Sequence, residues 1–242
     1  MKGIGKILLI FMQCIFIILL IYSAYNIYKW STENRKTSEI LNNITRSVTV
    51  DKDNKPIVDL ATLREENSDV VAYLKVNGTD INYPVVISDD NEYYLNHSFD
   101  KTVCRAGWIF ADCRNKIDGT DKNLIIYGHN RRDGSMFGTL KKILSKEWYE
   151  DKDNRNITLN TNIGDINYKV FSIYQIEEED YYLKTAFENE SFITFVNNLK
   201  HRSIKDFGVD ITEDNSILTL STCANDNNYR VVLHAINKWL NL

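Results

Sequence analysis

The sequence predicts a mainly β domain, closed as an eight-stranded barrel with flanking helices, behind one N-terminal transmembrane helix. Three observations carry this. Eight β-rich runs lie between residues 70 and 236, too many for a small open sheet and enough to close a barrel. Two helical patterns interrupt them. Residues 7–25 carry no charge. The chain has 242 residues, room for one domain of ordinary size with a real core.

The uncharged run Ile7 to Tyr25 matches the roughly 20 residues that a helix needs to cross the hydrocarbon core. Lys2 and Lys6 precede it, and Tyr22, Tyr25, Tyr28 and Trp30 form an aromatic belt at its far end. A cleaved signal peptide is the rival reading. The run is long for its apolar region, and no small-x-small cleavage site stands out. The pattern favours an uncleaved anchor over residues 1–28, with the N-terminus inside and the remainder outside. Residues 29–58 read as a polar, helix-compatible stalk, with Ile40, Leu41 and Ile44 as a short apolar face. Residues 59–242 form the barrel domain.

The first helix of that domain runs from Asp59, its cap, to Asn67. Val70–Val76 and Ile81–Ile87 flank Asn77-Gly78, a strong hairpin signal. Further strands are expected at 106–112, 123–128, 156–161, 166–176, 216–222 and 229–236. Ser135–Tyr149 reads as a helix with Met136, Leu140, Ile143 and Leu144 on one face. Phe187–Arg202 reads as another, with Phe192, Phe195, Val196 and Leu199 facing the core. This second helix sits in the long connection from Ile176 to Ser216, and long connections inside compact domains are often functional.

The formal charge of −4, with no basic block, argues against nucleic-acid binding. There is no Cys-x-x-Cys and no His pair at helical spacing, so no zinc site is expected. Cys104 and Cys113 invite a disulfide in an exported protein. The intervening 106–112 reads as a strand, and nine extended steps span roughly 30 Å. A disulfide needs Cα atoms within about 7 Å, so the pair cannot bridge while the strand holds.

Cys223 ends the apolar run that begins at Ser216. Arg230 lies in the next β-rich run, after the turn-rich Ala224–Asn228. His129 ends the run from Leu124. A thiol, an imidazole and a guanidinium at strand ends are the parts of a cysteine acyl-transfer site. The thiolate is the nucleophile, and a neighbouring cation lowers the thiol pKa. His129 could protonate a leaving amine and deprotonate an incoming one. Arg230 never loses its proton in practice, so it holds an oxyanion instead. Asn225, Asp226 and Asn228 could line the site. Each residue alone has an ordinary structural role, and the site exists only if all three converge. His234 is the rival imidazole. It lies four strand positions past Arg230, roughly 13 Å from a shared rim, and reads as a packed histidine. His97 and His201 read as surface residues.

Thr219-Leu220-Ser221-Thr222-Cys223 with a downstream arginine, preceded by Tyr127-Gly128-His129-Asn130, resembles the sortases, class B above all. Ile81-Asn82-Tyr83-Pro84-Val85-Val86, Asn91-Glu92-Tyr93-Tyr94-Leu95 and the long helical insertion extend the similarity from anchor to last strand. The resemblance implies a membrane-anchored transpeptidase of Gram-positive bacteria with an eight-stranded barrel. Cys223 would attack the Thr carbonyl of an Asn-Pro-x-Thr-like C-terminal sorting signal on an exported protein. An amine of the cell-wall peptide, or of its lipid-linked precursor, would resolve the thioester. His129 and Arg230 match the family's histidine and arginine. Asn91, Leu95, Tyr127, Tyr182, Leu183 and Ser221 match its substrate groove. No cofactor is implied. Some sortases use calcium as an activator, but Glu177, Glu178, Glu179 and Asp180 read as a solvated acidic run. The spacing from Cys223 to Arg230 is short for class B, and Cys113 is an extra thiol. Two alternatives remain: a cell-wall cysteine hydrolase, in which water resolves the thioester, and a non-enzymatic barrel that binds cell-wall peptide.

Overall fold

The protein is described here by a computed structural model. It describes residues 2–50, 56–187, 190–223 and 228–237, with the Cys223 side chain outside that description. Two compact units form, residues 1–40 and 41–242. Helix α1 spans Lys2–Ser47, and its apolar run makes it long and apolar enough to cross a membrane. Side chains from Ile7 to Tyr28 along that run are mostly exposed, as suits contact with lipid rather than a protein core.

Within the second unit, β1 (Thr49–Val50) and β2 (Pro56–Ile57) form a small ribbon. Helix α2 (Leu60–Glu66) follows. Its cap is Asp59, whose carboxylate accepts from the backbone N–H groups of Ala61 and Thr62. The barrel strands are β3 (Val70–Val76), β4 (Asn82–Val86), β5 (Phe110–Ala111), β6 (Asn123–His129), β7 (Asn156–Thr161), β8 (Gly164–Glu177), β9 (Ser216–Cys223) and β10 (Tyr229–Asn237). They close in the order β10-β8-β7-β3-β4-β5-β6-β9. The pairs β4–β5 and β6–β9 are parallel, and the other barrel pairs are antiparallel. Closure leaves no open edge.

The Asn77-Gly78 hairpin joins β3 to β4, with Gly78 at φ 69°. Three expectations need correction. The strand foreseen at 106–112 shrinks to Phe110–Ala111, because Gly107 turns the chain at φ 60°. Trp108 and Ile109 stay fully buried without strand pairing, and Trp108 Nε1 donates to the Pro84 carbonyl at 3.0 Å. Cys104 and Cys113 nonetheless form no disulfide among the described residues. The single helix foreseen at 135–149 is two pieces, a 3₁₀ turn at Leu140–Leu144 and α3 (Lys146–Glu150). Met136 sits at φ 53°, outside the helical region, and Ser145 is extended and caps α3 by accepting from Trp148 N–H. Met136, Leu140 and Ile143 are still buried. The second insertion helix, α4 (Phe192–Arg202), starts later than Phe187, at its cap Ser191. Phe192, Phe195, Val196 and Leu199 are buried on it as the pattern required.

Candidate active site

Strands β6 and β9 run parallel in register, from Asn123 opposite Ile217 to His129 opposite Cys223. Both therefore end at one rim, about 4.8 Å apart as neighbouring strands are. Strand β10 returns antiparallel beside β9, and its ladder with β9 begins at Val232 opposite Ser221. Two residues nearer the rim on each strand lie Arg230 and Cys223. Where the ladder stops, the Val231 N–H donates to Thr222 Oγ1 at 2.9 Å. Asn225 and Asp226 lie outside the described residues.

The ring of His129 is set from behind. Its Nε2 lies 2.8 Å from the Leu95 carbonyl. A carbonyl only accepts, so Nε2 carries the proton and Nδ1 keeps the lone pair in the neutral ring. Burial holds the imidazole pKa below its ordinary value, and Arg131 pushes the same way against the Leu95 bond. Gly107 makes this approach feasible. A Cβ there would come within 2.6 Å of the Tyr94 carbonyl oxygen and 2.8 Å of His129 Cδ2. Gly128 has a similar reason, since a Cβ would meet Ile109 Cδ1 at 2.5 Å and Phe137 at 2.8 Å.

Arg230 donates through Nη2 to Glu178 Oε1 at 2.5 Å. Its Nη1 is buried and has no hydrogen-bond partner among the described residues. The acidic run is thus more than solvated charge. Glu177 accepts from Tyr229 Oη at 3.2 Å, and Glu179 pairs with Arg202. The end of β8 lies alongside Tyr229 and Arg230 of β10, which brings the carboxylates to the guanidinium.

The six groove positions fall into three groups. Leu95 meets His129 through its carbonyl. Tyr182 Oη and Ser221 Oγ share a hydrogen bond of 3.0 Å, both side chains buried. Burial raises the Tyr182 pKa, opposed by Ser221 and the nearby Arg230. Asn91, Tyr127 and Leu183 converge on two residues that sequence reasoning missed, Asp112 and Arg114. Asp112 has no exposed surface and accepts from Tyr127 Oη at 2.8 Å. Its burial would raise the carboxyl pKa, but Arg114 and Tyr127 outweigh that and hold it below the usual range. The signal available was Asp112-Cys113-Arg114-Asn115, a polar run directly behind a buried apolar one.

His234 is fully buried and remote from this chemistry. Thr219 Oγ1 donates to Asn123 Oδ1 at 2.7 Å, so it accepts from His234 Nδ1 at 2.9 Å. Tyr174 Oη donates to His234 Nε2 at 2.8 Å. Desolvation pushes the His234 pKa down to about 3. His97 stacks on Tyr93 with ring centroids 3.9 Å apart, and His201 is exposed on α4.

The sequence matches the Sortase domain family over residues 74–238. Sortase B of Listeria monocytogenes is 35% identical over 217 residues, 86% of this chain and 87% of that protein. Among solved structures, sortase B from Bacillus anthracis in complex with AAEK1 superposes with a TM-score of 0.74 at 30% identity, covering 87% of this chain and 98% of that one. The Staphylococcus aureus sortase B–substrate complex gives 0.70 at 29%, covering 88% and 95%. The chain belongs to the sortase family, the cysteine transpeptidases built on this closed barrel. Its relatives place it with the class B members, and that membership supports a cell-wall sorting transpeptidase.

Proposed function

We propose that Cys223 is the nucleophile, His129 the acid–base group and Arg230 the oxyanion donor of this transpeptidase. The observation that carries the reading is the shared rim, where His129 and Cys223 are register partners and Arg230 keeps one buried nitrogen without a partner among the described residues. The substrate is an exported protein with an Asn-Pro-x-Thr-like C-terminal signal. The Cys223 thiol gives its proton to the lone pair on His129 Nδ1 as its sulfur attacks the Thr carbonyl carbon, and the oxyanion receives a hydrogen bond from Arg230. Collapse breaks the C–N bond after Thr, and His129 gives its proton to the leaving amine. An amine of the cell-wall peptide, or of its lipid-linked precursor, then attacks the thioester. His129 takes that amine's proton at Nδ1 and passes it to the sulfur as the C–S bond breaks, which returns the thiol and the neutral ring. Because Leu95 holds Nε2–H, Nδ1 is the nitrogen that exchanges the proton.

Asn91, Leu95, Tyr127 and Leu183 are half-buried and line the peptide groove, while Tyr182 and Ser221 form its floor. The substrate complex of the Staphylococcus aureus relative supports a peptide groove on this barrel. Residues 1–28 anchor the chain in the cell membrane as a single pass, residues 29–58 form the stalk, and the barrel of residues 59–242 lies outside the cell.

The test uses the full chain in detergent micelles with a sorting peptide and an amine. Mass spectrometry is expected to find the peptide, cut after Thr, joined to the amine, and Cys223→Ala to give no product. Hydrolysed peptide alone would overturn the transfer step.

A further inference from the structure

Three groove elements from distant parts of the chain are tied to one buried carboxylate, Asn91 and Tyr127 directly and Leu183 through Arg114. Asp112 Oδ2 accepts from Tyr127 Oη at 2.8 Å, from Asn91 Nδ2 at 3.2 Å and from Arg114 Nη2 at 2.7 Å. Asp112 Oδ1 accepts from Arg114 Nε at 2.7 Å and from the Arg114 N–H at 3.0 Å. Arg114 Nη2 continues to the Leu183 carbonyl at 3.0 Å. From the other side Asn123, also without exposed surface, donates to the carbonyls of Tyr182 at 3.2 Å and Lys184 at 2.9 Å. Three successive carbonyls of the segment Tyr182–Lys184 are therefore held by side chains from elsewhere in the chain.

That segment is the end of a three-residue 3₁₀ turn, Tyr181–Leu183, and its cap Lys184, a form with poor hydrogen-bond geometry and little stability of its own. A buried ion pair is a weak source of net stability, since well-packed apolar residues often serve as well. What a bidentate Arg–carboxylate pair adds is orientation. Here it orients a tyrosine hydroxyl, an asparagine amide and a wall segment at once.

We propose that Asp112, acting through Arg114, is the positioning residue of the peptide groove, holding Asn91, Tyr127 and Leu183 in one frame for the sorting signal. The inference rests on the transpeptidase reading above and gives Asp112 no contact with the reacting atoms. Loss of the frame weakens peptide binding while leaving the thiol and its partners in place.

The test compares the full chain with Asp112→Asn and Arg114→Ala. Arg114 is half exposed, so its replacement spares the core if Asp112→Asn fails to fold. Both variants are expected to raise KM for the sorting peptide at least about tenfold while kcat stays within about threefold, the split that marks lost binding rather than lost chemistry. Alkylation of Cys223 by iodoacetamide, read on its proteolytic peptide, is expected at the wild-type rate. Amide exchange at 181–184 is expected to quicken in Arg114→Ala. Wild-type KM in both variants overturns the positioning role while the transpeptidase reading stands. So does a fall in kcat and in alkylation rate at constant KM. A wild-type chain that cleaves no sorting peptide overturns the transpeptidase reading, and the groove role with it.

Discussion

Arg230 grips Glu178 at 2.5 Å through one terminal nitrogen and leaves the other buried, with no partner among the described residues, beside the strand that carries Cys223. The two nitrogens have separate duties. Glu178 is more than half exposed, so its bond with Arg230 is of the weak, screened kind. In the proposed mechanism the other nitrogen is the one that meets the oxyanion.

Arg230→Lys is therefore expected to lower kcat/KM by about 100- to 1,000-fold, the loss seen when one oxyanion donor is removed. A compact ammonium lacks the planar fork that sets one nitrogen on Glu178 and the other toward a substrate oxygen. Glu178→Gln is expected to change kcat/KM by less than about fivefold, in keeping with a screened pair. Equal losses in both variants would place the function in the ion pair instead.

The pH profile of turnover should report His129. Burial lowers its folded pKa, so the ring is neutral at pH 7 and stays so somewhat below 6.5. The acidic limb that belongs to this imidazole is expected below pH 6.5. Histidine titration by nuclear magnetic resonance, with His129→Gln to assign the signal, checks it. A value above 6.5 would contradict the burial argument.

Stability should fall with acid for a different histidine. His234 titrates at about 3 when folded and near 6.5 when unfolded, so between those values the unfolded chain binds the extra proton. Its contribution is complete above pH 6.5 and is lost as pH falls toward 3, by up to about 1.4 kcal/mol per pH unit. Urea denaturation at pH 5 and pH 7 is expected to show this slope. It should flatten in His234→Gln.

Gly107→Ala should damage both stability and activity. The residue sits at φ 60°, where an L side chain costs about 1–2 kcal/mol. The new methyl also meets the Tyr94 carbonyl and the His129 ring. A lower Tm with a drop in kcat of more than about tenfold is expected, since displacement of a catalytic group by about 1 Å can cost that much or more.

Much of the barrel was legible because its strands are long apolar runs with clear punctuation. Asn77-Gly78 marked its hairpin, and Asp59 marked its helix start. The failures share a cause. Residues 106–109 are as apolar as a strand and as buried as one, but a single glycine at positive φ bends them out of register. Met136 fitted the helical stripe, yet its left-handed backbone is set by the loop that bridges Asn130 to Met136. The shared strand level of His129 and Cys223 followed from strand-end placement plus the family resemblance. Asp112 did not, because a carboxylate in a polar run reads as solvated until its partners at 91 and 127 are brought to it by the fold. The acidic run at 177–180 reads as solvated, and Glu177, Glu178 and Asp180 are exposed, but that reading did not foresee the pairing of Glu178 with Arg230 or of Glu179 with Arg202.

Strand β9 lies between β6 and β10, and β10 shuts the ring against β8. The thiol-bearing strand therefore docks onto one laid down nearly a hundred positions earlier in the chain. Such remote pairings are slow, because the intervening chain must be ordered before they form. A chain cut before β10 would lack both Arg230 and the strand that closes the ring between β9 and β8, and should be inert rather than sluggish.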